Sequence, residues 1–195
     1  MQIADSINAA KAKLIYLVFE EFEKQLAGVA ERNHWTREKK SNWYEYKEQA
    51  DEFFYKWNTT YPGINYIVKD APMPDGKQLW FRVEVEHRLF AGFCVFDPNA
   101  ESEEGHGDQV DEYDRETEKA VGHYLNISVE DHKDWWATWW YLPAGEQKPN
   151  DSVPNFKIMN DAAIALADKE CRSEFVSLCV RNIEEMVERV LAIPE

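Results

Sequence analysis

Glu84 and Glu86, two residues apart, are the first place where the sequence could do chemistry. Carboxylates at alternate positions of a strand share a face and can hold Mg²⁺ when a third acid joins them. Arg82 and Arg88 flank them, so the same residues can form ion pairs along the strand instead. The pairing is favoured, because a lone Glu-x-Glu is a weak metal signal. A second acidic group, Asp108, Asp111, Glu112 and Asp114 with His106 nearby, is tested against the calcium-loop pattern of alternate carboxylates and a glycine at the sixth position. The spacing does not fit, and no metal is assigned there. The five histidines, His34, His87, His106, His123 and His132, have no Ser, Cys or Asp partner at a recognisable spacing. Phosphate-cradling glycine loops and a GxSxG elbow are absent, and the three cysteines lie too far apart for a zinc site. No catalytic residue and no cofactor is assigned.

The stretch Trp135-Trp136-Ala137-Thr138-Trp139-Trp140-Tyr141-Leu142 is the best candidate for a working surface. Large amphipathic rings serve equally as a core plug and as interface anchors. Trp80, Trp135, Trp136, Trp139 and Trp140 are therefore the candidate partner-binding residues. Periodicity does not decide between helix and strand here; Pro143 and the aromatic content favour a strand.

These residues need elements to place them. From Gln78 to Asp97, Leu79, Phe81, Val83 and Val85 alternate with Trp80, Arg82, Glu84 and Glu86. That is the period of a strand with one face in a core and one face wet. A break at His87-Arg88 and a second apolar run, Leu89 to Phe96, complete an antiparallel hairpin. Residues 64–70 supply a further strand, and Ala71 to Gly76 a Pro-rich turn. Helices are expected over 3–33, from Thr36 to Trp57, over 113–125, from Phe156 to Ala167 and from Glu170 to Ile193, on three- and four-residue apolar spacing. The expected fold class is α+β. A small antiparallel meander of three to four strands packs against long helices at both chain ends, in one domain spanning 1–195. An N-terminal helical pair occupies about 3–57 and an exposed acidic loop about 98–112.

The charge narrows the function classes. The formal net charge is −15, and residues 98–134 hold three Lys/Arg against twelve Asp/Glu, a balance of −9. A nucleic acid would be repelled by this field, and no basic patch opposes it. Glu101, Glu103, Glu104, Asp108, Asp111, Glu112 and Asp114 form the candidate acidic surface. No segment approaches the roughly 18 apolar residues of a membrane span, and Met1–Ala10 lacks the pattern of a secretory leader. Cys94, Cys171 and Cys179 are odd in number and sit in apolar periodic segments, which reads as reduced, buried thiols in a cytoplasmic chain.

The order of a long aromatic helix, then LWFRVEVEHRLFAGFCVF, an acidic helix, WWATWWYLP and a long terminal helix resembles the C-terminal half of certain PD-(D/E)XK nuclease-superfamily proteins of bacteria and their phages, over about residues 35–195. The shared features are a strand pair ending in an aromatic-Gly-aromatic step, here Phe90-Ala91-Gly92-Phe93, and a Trp-rich stretch before the last helix. The nuclease signature itself, an Asp followed by Glu/Asp-x-Lys on a strand, is missing: Glu84-Val85-Glu86 lacks the lysine, and Lys77 precedes the strand. The resemblance therefore implies an accessory or partner-binding module and transfers no catalytic residue.

Three functions follow in order. The first is a non-catalytic protein-interaction module, in a bacterial or phage defence-related setting, with a protein partner. The second is an acidic inhibitor or immunity-type protein whose carboxylates imitate nucleic-acid phosphates. The third is a degenerate Mg-dependent nuclease using Glu84 and Glu86.

Overall fold

The computed structural model describes residues 2–39, 45–55, 61–100, 107–127, 135–143 and 153–191. The chain begins with α1 (Gln2–Arg32) and ends with α5 (Lys169–Val190), and an open antiparallel sheet lies between them in sequence. This is the expected α+β class. On α1, Ile15, Val18, Phe19, Phe22, Leu26, Val29 and Ala30 recur at helical spacing and are buried. On α5, Val176, Cys179, Ile183, Val187 and Val190 do the same. Asp168 caps α5 by accepting hydrogen bonds from the Glu170 and Cys171 amides.

The two long helices run parallel. Ser173 donates to Glu21 (3.2 Å), Ser177 donates to Gln25 (2.8 Å), and Arg32 pairs with Glu184. The contacts keep one sequence offset and advance in the same direction on both helices. An apolar seam alone tolerates sliding; half-buried hydrogen bonds between defined partners do not.

Among the described residues, six strands form the sheet: β1 (Trp35–Glu38), β2 (Gly63–Val68), β3 (Gln78–Val85), β4 (Leu89–Asp97), β5 (Asp108–Gln109) and β6 (Thr138–Tyr141). β1 to β4 are a meander. The outer edge of β4 is shared, β6 pairing Phe90–Phe93 and β5 pairing Phe96–Asp97. Thr138–Tyr141 of the tryptophan stretch is thus a strand, as the aromatic content favours, with Trp135 and Trp136 preceding it, and the sheet is wider than three or four strands.

The expected helix from Thr36 to Trp57 does not form as one element. Trp35–Glu38 is an edge strand, and Tyr46–Gln49 is a single short helix, α2; residues 40–44 and 56–60 lie outside the described residues. His34 takes a left-handed conformation at φ 56° immediately after α1 and turns the chain back. Trp35 then stacks on Phe81 with ring centroids 4.7 Å apart, so tertiary packing overrides helix propensity. The N-terminal helical pair is replaced by a helix, a strand and one helical turn. Arg37 locks this corner. It forms ion pairs with Glu45 (2.7 Å) and Glu23 (3.3 Å), and the Tyr46 hydroxyl donates to Glu23 (3.0 Å).

Residues 113–125 hold α3 (Arg115–Leu125), capped by Asp114. The helix expected from Phe156 to Ala167 shrinks to α4 (Asp161–Ala165), capped by Asn160. One large core joins α1, α5 and the odd-numbered face of β3 and β4: Leu79, Phe81, Val83, Val85, Leu89, Ala91, Phe93 and Val95. Cys94 and Cys179 are buried as expected, whereas Cys171, in the first turn of α5, is exposed.

Candidate functional site

The even-numbered face of the sheet, turned away from that core, carries the candidate residues in cross-strand rows. One row is Asn65, Arg82, Gly92 and Trp139; the next is Gly63, Glu84, Phe90 and Tyr141. The sequence pattern marks this face as wet. It is not: Trp80, Arg82 and Glu84 are buried, and only Glu86 is exposed.

Arg82 and Glu84 form an ion pair, with the Arg82 side chain 1% exposed. Of the pairing favoured from sequence, the Arg82–Glu84 half forms, and it lies inside the protein. Two glycines make the room. A Cβ on Gly63 would stand 2.8 Å from the Val83 carbonyl and 3.4 Å from the Arg82 guanidinium; a Cβ on Gly92 would stand 2.3 Å from the Thr138 carbonyl and 2.8 Å from the Trp136 and Trp139 side chains. Gly92 thereby admits β6 against β4 and lets Trp136 lie across Arg82, whose guanidinium is 5.8 Å from the ring centroid. Arg82 also donates to Gln109 (3.3 Å), and Gln109 donates in turn to the Trp135 carbonyl. Burial pushes the Glu84 carboxyl up to about 7, with Arg82 opposing and Glu86 reinforcing. Glu84 is buried and tied to Arg82, whereas Glu86 is exposed. Among the described residues, no group of three His, Cys, Asp or Glu is placed to hold a metal ion.

The five candidate tryptophans separate. Trp80 is 2% exposed and stacks on Phe96 at 3.9 Å, forming a small second core with Cys94, Ile67 and Trp136. Trp140 is 1% exposed and belongs to the large core. Neither can meet a partner, because strand alternation points Trp140 inward and the second cluster covers Trp80. Trp135 is 45% exposed, and Trp136 and Trp139 are half-buried.

These last three line an open pocket of about 350 Å³ with Phe90, Tyr141, Glu86, His87, Arg88 and Asn155. Phe90 is the hub. Trp136 lies 5.2 Å from it, Trp139 6.0 Å and Tyr141 6.5 Å, and Trp139 meets Tyr141 at 5.2 Å. The pocket sits where the β3–β4 turn meets the segment before α4. Phe156 donates its amide to the His87 carbonyl (2.9 Å), Arg88 donates to the Val153 carbonyl (3.2 Å), and Lys157 Nζ lies 3.2 Å from His87 Nε2. Burial raises the Tyr141 phenol, Glu86 raises it further and Arg88 opposes, so the hydroxyl stays protonated and able to donate. Phe90, Tyr141, His87 and Asn155 are not among the partner-binding candidates drawn from sequence. Phe90 and Tyr141 could be found by pairing Phe90-Ala91-Gly92-Phe93 with the tryptophan strand, which puts them opposite each other.

The acidic surface is only partly free. Asp114 caps α3 and binds Lys77 at 2.8 Å, and Asp108 accepts from the Gln109 amide at 2.7 Å in β5. The Asp114 carboxyl is held well below the usual carboxylate range, chiefly by the hydrogen bond from Lys77. Asp111 and Glu112 are exposed. Glu101, Glu103 and Glu104 lie outside the described residues. The expected exposed loop at 98–112 is therefore interrupted by β5, where Gln109 is buried. No helix among the described residues is long and apolar enough to cross a membrane.

Fold and site define an α+β protein with a parallel helix pair on one face of an antiparallel sheet and an aromatic pocket on the other. Comparison with protein-family models, with curated proteins and with solved structures found no match to this chain.

Proposed function

We propose that this chain is a non-catalytic interaction module that receives a protein partner in the pocket formed by Phe90, Trp136, Trp139 and Tyr141. The observation that carries the reading is the placement of three rings outside both apolar cores, Phe90, Trp139 and Tyr141, around an open cavity whose further wall, Trp136, also packs against the second core. Rings already buried against a core do nothing more; rings left on a cavity wall are anchors waiting for a counterpart. The bacterial or phage defence setting implied by the nuclease resemblance belongs to the same proposal. The acidic, phosphate-imitating reading draws less support, since Asp108 and Asp114 are engaged in the protein's own hydrogen bonds. A metal-dependent nuclease draws least, since Glu84 is bound to Arg82.

The test is recovery of a cross-linked partner from cells that make the chain, with Trp135→Ala and Trp139→Ala variants beside the parent. The parent is expected to retain a partner that the folded variants lose. Equal recovery by all three would place the interface elsewhere.

A further inference from the structure

The chemistry of the pocket narrows what the partner presents, and this inference rests on the interaction reading above. The four rings make a box and not a flat patch. Trp136 and Trp139 stand at 71° to Phe90, Tyr141 stands at 76° to it, and Trp139 and Tyr141 stand at 88° to each other. Ring faces carry negative quadrupole charge and draw a cation to within about 6 Å of their centroids. Trp136 already takes one cation in this way, from Arg82 beneath it.

Charged groups of both signs, Glu86 and Arg88, line the mouth. Glu86 is exposed there, while Glu84 is tied to Arg82. Arg88 lines the same mouth and donates to the Val153 carbonyl, and Lys157 lies against His87. The net charge of −15 favours approach of a basic segment over an acidic one. A purely apolar side chain would leave Glu86 unused.

We propose that the pocket is an aromatic cage for a lysine side chain of the partner, with or without N-methylation. The aliphatic stem lies along Phe90. The ammonium sits among Trp136, Trp139 and Tyr141, with Glu86 as its counter-charge.

The test is a titration of the intact chain with acetyl-lysine amide, acetyl-trimethyllysine amide and the uncharged acetyl-norleucine amide, followed by NMR on the indole N–H signals of Trp136 and Trp139. Both cationic probes are expected to shift these signals saturably, and to bind roughly tenfold more tightly than norleucine. Glu86→Gln, at an exposed turn position, is expected to weaken the cations several-fold and leave norleucine unchanged; Trp139→Ala should abolish the shifts. Equal affinity for norleucine and the cations would overturn the cage and leave an apolar partner site standing. No shift with any probe would also overturn the cage. In either case, loss of the partner with Trp139→Ala would show that the interaction reading survives on its own.

Discussion

Gly92 stands directly across the ladder from Trp139, and its missing side chain is what allows β6 to close on β4. The same vacancy lets Trp136 lie against Arg82. One residue without a Cβ thus brings together the buried ion pair and two walls of the pocket.

Gly92→Ala is the direct probe of this. The added methyl would meet a backbone carbonyl at 2.3 Å, which cannot rotate away. The expected loss is about 2–3 kcal/mol of stability, the scale of overpacking in a close-packed interior. Chemical denaturation measures it. A loss under about 0.5 kcal/mol, the scale of an ordinary surface change, would mean that β6 does not pack as described.

The Arg82–Glu84 pair should behave as a buried pair. Removing one partner, as in Glu84→Leu, leaves a guanidinium without its counter-charge and should cost about 3–5 kcal/mol. The double variant Arg82→Met with Glu84→Leu should recover most of that. Additive losses would show that the two side chains act independently.

Acid stability should depend on Glu23. Burial alone would raise its carboxyl, but hydrogen bonds from Lys39 and Tyr46 and the charges of Arg37 and Lys47 overcome this and hold it at about 2. A depressed carboxylate contributes stability above its unfolded pKa of about 4.5 and loses it as pH falls towards 2. Glu84, raised to about 7, acts in the opposite sense: its contribution is complete below about 4.5 and is lost as pH rises through 7. Denaturation midpoints between pH 2 and 5 should fall on acidification, and Glu23→Gln should flatten that limb. An unchanged limb in the variant would remove Glu23 from the account.

Trp80 and Trp135 should separate in a stability assay. Trp80→Ala empties a buried stack on Phe96 and should cost about 3–5 kcal/mol. Trp135→Ala, at a 45% exposed position, should stay within about 0.5 kcal/mol. Similar losses at both sites would mean that the tryptophans are not divided between core and pocket.

The sequence shows the hairpin plainly, because Leu79, Phe81, Val83 and Val85 keep strict alternation and the core they enter is on one side. It misleads about the other side. Arg82 and Glu84 look like surface charges, since nothing local reveals that Gly63 and Gly92 make room for them or that Trp136 covers Arg82. Trp35–Glu38 misleads for a similar reason: the residues tolerate a helix, and only stacking on Phe81 and pairing with β2 make a strand. Of the site, the tryptophans are legible by type, but their division between core and cavity depends on the register of β6 against β4. That register also brings Phe90 and Tyr141 into the pocket.

The most direct measurement of the central claim compares partner recovery by the parent chain, by Trp139→Ala, and by Asp111→Asn with Glu112→Gln, all at matched folded concentration. The acid-neutralised chain is expected to retain its partner, while Trp139→Ala binds about 30-fold more weakly or worse, the loss of about 2 kcal/mol typical of an aromatic anchor. Retention by Trp139→Ala with loss in the acid-neutralised chain would contradict this and move the interface to the acidic surface.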